Sequence, residues 1–317
     1  MIHNYVNKLI KNLPDNIINT EKPIEIDLVL DSGCFNGSYL VGALYFLKEM
    51  EKRKYIRVVR ISGSSIGSFV ALIYFIDKLD IIPHIYKIAK NSLEKKYNLS
   101  KAIKSIKENI NTYVNDEILT KINDKLFICY NDIKSFKKIV KSRYANKEEL
   151  IDTIIKSLFI PYLSDGKCLY KNKYVDGLTP YIFEIDRGIH KDLDKDKVNR
   201  KILFLDLFSC DKFSGALNIK NEKTNFHRIL YGLLDIHSFF IKKSSTQMCS
   251  YVNEWNYLNM FLYNLRLMVE KIIVFYIWLF VKAKNIIPKE FKETFICDIL
   301  KKICYELFVV FMKTYCL

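Results

Sequence analysis

The sequence predicts an α/β fold: a mostly parallel sheet covered by helices. Two observations carry that prediction. A strand–turn–helix pattern occurs twice in the first eighty residues, and glycine is concentrated at its turns. Of the ten glycines in 317 residues, five (Gly33, Gly37, Gly42, Gly63 and Gly67) fall between positions 33 and 67. Alternating strands and helices favour a parallel sheet, because each helix returns the chain to start the next strand in the same direction. Glycine serves where backbone turns sharply or approaches another group closely, so the cluster points to a site built from backbone.

Residues 1–23 read as a short helix ending near Pro14, followed by a polar approach. Ile26 to Leu30 is an apolar run of strand length, and DSGCFNG (Asp31 to Gly37) is the turn after it. Ser38 to Arg53 has helical spacing, with Leu40, Ala43, Leu44 and Leu47 on one face. Ile56 to Ile61 is a second strand, apolar apart from two arginines, and the strongly apolar Ile66 to Leu79 is the helix after it. Lys125 to Tyr130 and Lys201 to Phe208 read as further strands. Between them lie a helix at Lys147 to Phe159 and a hairpin-like CLYKNKYVDG ending at Gly177. The charged 190–201 segment is expected to be a surface loop. A domain of sheet and helices is thus expected over residues 24–250, with 1–23 as a lead-in.

From about Tyr251 to Leu317 the pattern changes to long, aromatic-rich helices, read as either a cap or a membrane-interface region. Ile272 to Val281 is wholly apolar but only ten residues long, bracketed by Lys271 and Lys282. A spanning helix needs about 20 apolar residues. A buried helix is therefore expected here in preference to an interfacial one, and Glu306 to Leu317 poses the same choice.

The formal net charge of +15 suits anionic partners: nucleic acid, an anionic membrane or an acidic protein. The competing explanation is a coding bias toward Lys, Ile and Asn, spread over solvated faces. Eight cysteines form no CxxC pair and no cluster with zinc spacing, which fits free thiols in a reducing compartment. The N-terminal MIHNYVNKLIKNLPD lacks the apolar core of a secretory signal. An intracellular, cytoplasmic protein with peripheral membrane association is expected.

Chemistry concentrates in the turns. GSSIG, Gly63 to Gly67, matches G-x-S-x-G in a strand–turn–helix context, which would lift Ser65 above the sheet edge. Only small residues two positions either side let the backbones pass, and Ser65 alone has glycine at both. The helix that follows aims its first N–H groups and positive dipole end at the same point. The earlier turn, Asp31 to Gly37, could offer backbone donors to a phosphate or an oxyanion. It has neither a full G-x-G-x-x-G nor a Walker lysine, so an oxyanion hole is the simpler role. YVDGLTP puts Asp176 at a strand end before Gly177, although Asp-Gly is also an ordinary turn signal.

Together these pieces resemble the patatin-like phospholipases. The likeness rests on the Asp31–Gly37 loop, the elbow at Ser65, the Asp176–Gly177 pair, and IKSLFIPYL (Ile155 to Leu163) between elbow and aspartate. It covers roughly residues 24–210. The resemblance implies a three-layer α/β/α fold with a C-terminal helical extension and a Ser–Asp dyad without histidine. Ser65 would be the nucleophile and Asp176 the general base, with Gly33 and Cys34 N–H groups as the oxyanion hole. Ser32, Asn36, Gly37, Gly63, Gly67 and Gly177 would support them. It implies hydrolysis of phospholipid or related acyl-lipid esters, with no cofactor or metal. Such a substrate gives the charge an anionic membrane as partner, ahead of nucleic acid.

Two departures stand out. Where the family has three glycines, a variable residue, a basic residue and a glycine, this chain reads Ser32, Gly33, Cys34, Phe35, Asn36 and Gly37. The loop backbone is more constrained, and a local positive charge is lost at Asn36. Two other readings stay open: a Ser–Asp–His esterase using His190, His227 or His237, and a non-catalytic basic membrane- or nucleic-acid-binding protein on a degenerate hydrolase fold.

Overall fold

The computed structural model describes residues 2–19, 21–183, 200–208, 215–286, 288 and 294–317. The 190–201 segment expected as a surface loop, like His190, lies outside these residues save for Arg200 and Lys201.

Two short N-terminal helices, α1 (Ile2–Ile10) and α2 (Asp15–Ile18), lead into β1 (Ile24–Leu30), α3 (Gly37–Lys52), β2 (Ile56–Ser64) and α4 (Ile66–Phe75). Then come α5 (Ile82–Lys96), α6 (Ser100–Tyr113), α7 (Asp116–Ile122), β3 (Leu126–Asp132), β4 (Lys137–Lys141) and α8 (Lys147–Ser157). The chain continues with β5 (Tyr174–Asp176), β6 (Lys201–Leu205), α9 (Phe226–Lys242), β7 (Cys249–Tyr251), α10 (Tyr257–Ile286) and α11 (Phe295–Phe311).

Among the described residues the sheet has seven strands in the order β4-β3-β2-β1-β6-β7, with β5 paired to β3. Its centre is parallel: β1 pairs with β2 and β6, and β2 with β3. The antiparallel strands β4, β5 and β7 attach at its flanks. The expected hairpin is corrected in one respect. Its first arm makes only an isolated bridge, Tyr170 to Tyr174, and its second arm, β5, is a strand of the main sheet. That pairing carries Asp176 to the sheet, opposite Tyr130.

Side chains alternate across a strand, so a strand covered on both faces must be apolar throughout. In β1, Ile26, Leu28 and Leu30 join the large core formed with α3, α4, α8 and α9. Val29 joins a second core on the opposite face, with Phe127, Phe204, Phe183 and Tyr263 of α10. This is the three-layer arrangement, and α10 contributes to its third layer. One polar pair crosses β1 and β2: Arg60 holds the buried Asp27, with its guanidinium 4.3 Å from the Phe183 ring centre.

The expectation that Ile272 to Val281 is buried does not hold. Val274 is buried, and Ile277, Trp278 and Val281 pack on a small core with Ile133 and Val175. Ile272, Ile273, Phe275, Tyr276, Leu279 and Phe280 are exposed. A 30-residue helix lying on a sheet buries one side only, and here the outward side is as apolar as the inward one. No helix among the described residues is long and apolar enough to cross a membrane.

Helices α3 and α9 approach closely because Gly42 faces the Ile229 carbonyl and Gly232 faces the Tyr39 carbonyl. A Cβ at either position would overlap the opposing backbone. Gly42→Ala or Gly232→Ala is expected to destabilise the fold by about 1–3 kcal/mol, seen as a lower urea midpoint.

Candidate active site

Strand β2 ends at Ser64, α4 begins at Ile66, and Ser65 stands between them at φ 51°, ψ −128°. A non-glycine residue in that region costs of order 1–3 kcal/mol and persists only where its surroundings hold it. Its N–H donates to Ser157 Oγ at 2.9 Å, and its carbonyl accepts from Ser68 Oγ at 2.6 Å. Clearance comes from the flanking glycines. A Cβ on Gly63 would lie 2.5 Å from the Gly67 carbonyl oxygen, and one on Gly67 would lie 2.5 Å from that of Asp31. The neighbouring Ser64 is fully buried and lies beneath Gly177.

Asp176 ends β5 and is almost wholly buried. Its N–H donates to the Phe159 carbonyl at 2.9 Å, and its Oδ1 accepts the Leu178 N–H at 2.8 Å. Oδ2 has no fully formed hydrogen bond. The Ser65 hydroxyl nevertheless stands close enough to favour the ionised form of this carboxyl. Burial raises the Asp176 pKa to about 7, and the charge of Glu270 adds to the rise; Ser65, the Leu178 N–H and Lys138 oppose it.

The segment 155–163 thus positions both residues: Ser157 holds the elbow and Phe159 holds the aspartate. On the other side, Asp31 begins the loop that β1 delivers. Cys34 adopts φ 48°, so one former glycine position is left-handed despite its side chain. The Phe35 N–H donates to the Ala216 carbonyl and the Asn36 N–H to that of Gly33, whereas the N–H groups of Gly33 and Cys34 donate to no described residue. Burial pushes the Cys34 thiol up to about 12, so only its backbone is available for chemistry. Ser32 Oγ donates to the Leu178 carbonyl, tying this loop to the one that follows Asp176. Gly37 meets the Ile66 side chain across the elbow.

Asn36, which stands where the resembled family has a basic residue, is buried against one. Arg228 of α9 donates through Nη1 to Asn36 Oδ1 at 2.6 Å and through Nη2 to Glu222 at 2.6 Å. A guanidinium therefore stands behind the loop, already paired with a carboxylate. Sequence reasoning did not find Arg228, nor Arg266 and Glu270, which reach the site from α10. Arg266 donates to Asp31 Oδ2 at 2.8 Å and to the Leu178 carbonyl at 3.1 Å. Glu270 accepts from Asn131 at 2.8 Å and from Thr179 Oγ1. The available signal was chemical: arginines are few among the 50 basic residues, and Arg266 is isolated in an aromatic helix.

An apolar cleft opens beside Ser65, lined by Phe35, Ile66, Phe69, Ile85, Ile103 and Ile106. Of the three candidate histidines, the two among the described residues lie elsewhere. His227 is exposed and 3.4 Å from Glu222, while His237 packs its ring on Phe46 and bonds the Leu9 backbone.

Residues 28–179 match the family model of patatin-like phospholipases. That stretch, just under half of the chain, is similar to a family of hydrolases that act on lipid esters. No curated protein matches the chain. The matched span includes Ser65 and Asp176 and ends at Thr179, so Arg228, Arg266 and Glu270 fall outside it.

The raised Asp176 pKa fixes the sign of a stability effect. The folded chain binds this proton more tightly than the unfolded chain, whose aspartate titrates at about 3.9. The cost of holding the buried charge therefore grows as pH rises from about 4 and is complete above about 7. Asp176→Asn, which keeps the Leu178 bond, is expected to raise Tm at pH 8, the gain vanishing near pH 4.

Proposed function

We propose that the protein is a lipid acyl hydrolase of phospholipase A type, cleaving carboxylic ester bonds of phospholipids at an anionic membrane surface. The observation that carries this reading is the meeting of Ser65, on its strained elbow, with the buried Asp176 beside an apolar cleft.

Asp176, as the carboxylate, accepts the Ser65 proton while Oγ bonds to the acyl carbonyl carbon. Charge grows on the carbonyl oxygen, toward the positive end of α4 and the N–H groups of Gly33 and Cys34, which donate to no described residue. Collapse breaks the ester C–O bond, and Asp176 returns the proton to the leaving alcohol. Water then repeats the sequence on the acyl-enzyme, releasing the fatty acid and restoring Ser65. A base titrating near 7 is better matched to this work at neutral pH than an ordinary carboxylate. The acyl chain would occupy the cleft, where its methylenes leave water.

Membrane contact has separate support. The outward sides of α10 and α11 expose Phe261, Tyr276, Phe280, Leu300, Leu307 and Phe311. Lys271, Lys282, Lys284, Lys301 and Lys302 lie among them, in a chain of net charge +15. Apolar surface bordered by lysine fits an anionic bilayer, at about 1 kcal/mol per basic residue near the surface. Phe308, Met312 and Cys316 pack with Phe35 and Tyr86, so the C-terminal end adjoins the cleft.

Two experiments test the reading. A fluorophosphonate probe should label the wild type and not Ser65→Ala, and Asp176→Asn should lower ester turnover by about 10²- to 10⁴-fold. The acid limb of kcat/KM should have its midpoint near pH 7, because activity requires ionised Asp176. Unchanged hydrolysis by both variants would refute the mechanism. Binding to phosphatidylcholine vesicles should increase when phosphatidylserine is added and weaken with salt. Phe261→Glu with Leu307→Glu should reduce it while leaving turnover of a soluble short-chain ester intact; binding unaffected by these changes would refute the membrane surface.

A further inference from the structure

Arg266 and Glu270 stand one turn apart on α10, both directed inward. Arg266 reaches two loops at once. Both carboxylate oxygens of Asp31 accept from its guanidinium, and so does the Leu178 carbonyl. Asp31 is itself wholly buried and accepts the Ser32 N–H at 2.7 Å and the Leu207 N–H at 2.9 Å, so its position sets where the Ser32–Gly33–Cys34 backbone begins. Leu178, two residues past Asp176, sits at φ 51°, a conformation that its surroundings must enforce. Its carbonyl receives both Ser32 Oγ and Arg266. Glu270 accepts from Thr179, from Lys138 at 3.2 Å, and from Asn131, whose amide also donates to the Asp176 carbonyl at 2.9 Å.

Through Asp31 the network reaches the backbone that leads into Gly33 and Cys34, and through Leu178, Thr179 and Asn131 it reaches the 176–179 turn. Buried charges are a costly way to pack a helix on a sheet, since apolar residues of similar size often stabilise as well or better. What they add is directional: a planar guanidinium bridging a carboxylate and a carbonyl fixes distance and angle together. We infer that Arg266 and Glu270 are positioning residues, which hold the oxyanion loop and the Asp176 turn in register with Ser65 from a helix outside the matched domain. The inference rests on the Ser65–Asp176 reading of the site.

The test compares the full-length wild type with Arg266→Ala, Arg266→Lys and Glu270→Gln on a soluble short-chain ester. Competent sites are counted by fluorophosphonate titration, and folding is followed by Tm. Misplacement of reacting groups by about 1 Å costs on the order of a hundredfold. Arg266→Ala should therefore lose about ten- to a hundredfold in kcat per titrated site, with KM within about twofold. Added guanidinium should restore part of that loss, and Arg266→Lys should be intermediate because a point charge cannot bridge both partners.

Glu270→Gln removes one of the charged groups that face Asp176, leaving Lys138 of β4 and the Ser65 and Cys34 side chains. It should move the acid limb of kcat/KM to lower pH, since the carboxylate of Glu270 favours protonated Asp176. A purely structural brace would instead lower Tm or the titratable fraction, leaving kcat per site and the pH profile unchanged. That result would overturn the inference; the two conservative variants keep it open to test should Arg266→Ala not fold. A wild type that neither labels nor turns over would remove the Ser65–Asp176 reading and this inference with it, an outcome distinct from normal wild-type chemistry with unaffected variants.

Discussion

The contact on which the site depends is between Gly67 and the carbonyls of Leu30 and Asp31. There α4 passes the end of β1 with no room for a side-chain carbon. One strand's end thereby fixes where the next strand's elbow can lie, and the first residue of the Asp31–Gly37 loop is set against that elbow by close contact. Gly63, pressed against Gly67, transmits the same constraint along β2. Sterics of this kind are stiff, because a close-packed interior has few ways to yield. The more adjustable parts, the Asp31–Gly37 loop and the 176–179 turn, must then be brought to a fixed Ser65 by hydrogen bonds.

Those hydrogen bonds carry charge. Asp31, Asp206 and Arg266 form one cluster, and burial together with the neighbouring Asp31 raises Asp206 to about 7. Arg266 also lies 4.3 Å from the Phe208 ring centre, so a cation taken from water meets a carboxylate on one side and a π-face on the other. Asp176 has the opposite treatment. It is buried with weak compensation, which keeps it basic. Under the proposed mechanism such a site spends fold stability on reactivity, as strained and desolvated active sites do.

The sequence made the first half of this arrangement legible and little of the second. Strand, turn and helix up to Phe75 follow directly from apolar periodicity and the glycine cluster, because those patterns encode local geometry. The elbow could be read for the same reason: Gly63 and Gly67 bracket Ser65 at the spacing that backbone clearance requires. Asp176 was found by order and resemblance, since an Asp-Gly pair alone has no distinguishing physics. What eluded sequence reasoning was long range. Arg228, Arg266 and Glu270 sit 192, 235 and 91 positions from their partners Asn36, Asp31 and Thr179, and no periodicity links such pairs. The Ile272–Val281 segment misled for a related reason. An apolar run reports what a helix avoids, not which side of it another element will cover.

The reach of α10 into the site alters what counts as a module in this chain. Composition suggests a seam near residue 250, and the family match stops earlier still, at Thr179. A chain cut at that seam would retain every strand of the sheet except the last residue of β7, together with the elbow and the aspartate. It would leave Asp31 buried without its counter-ion, and the Leu178 turn without one of its two donors. The boundary of the sheet and the boundary of the chemistry do not coincide: swapping the C-terminal helices between relatives would graft part of the site along with them.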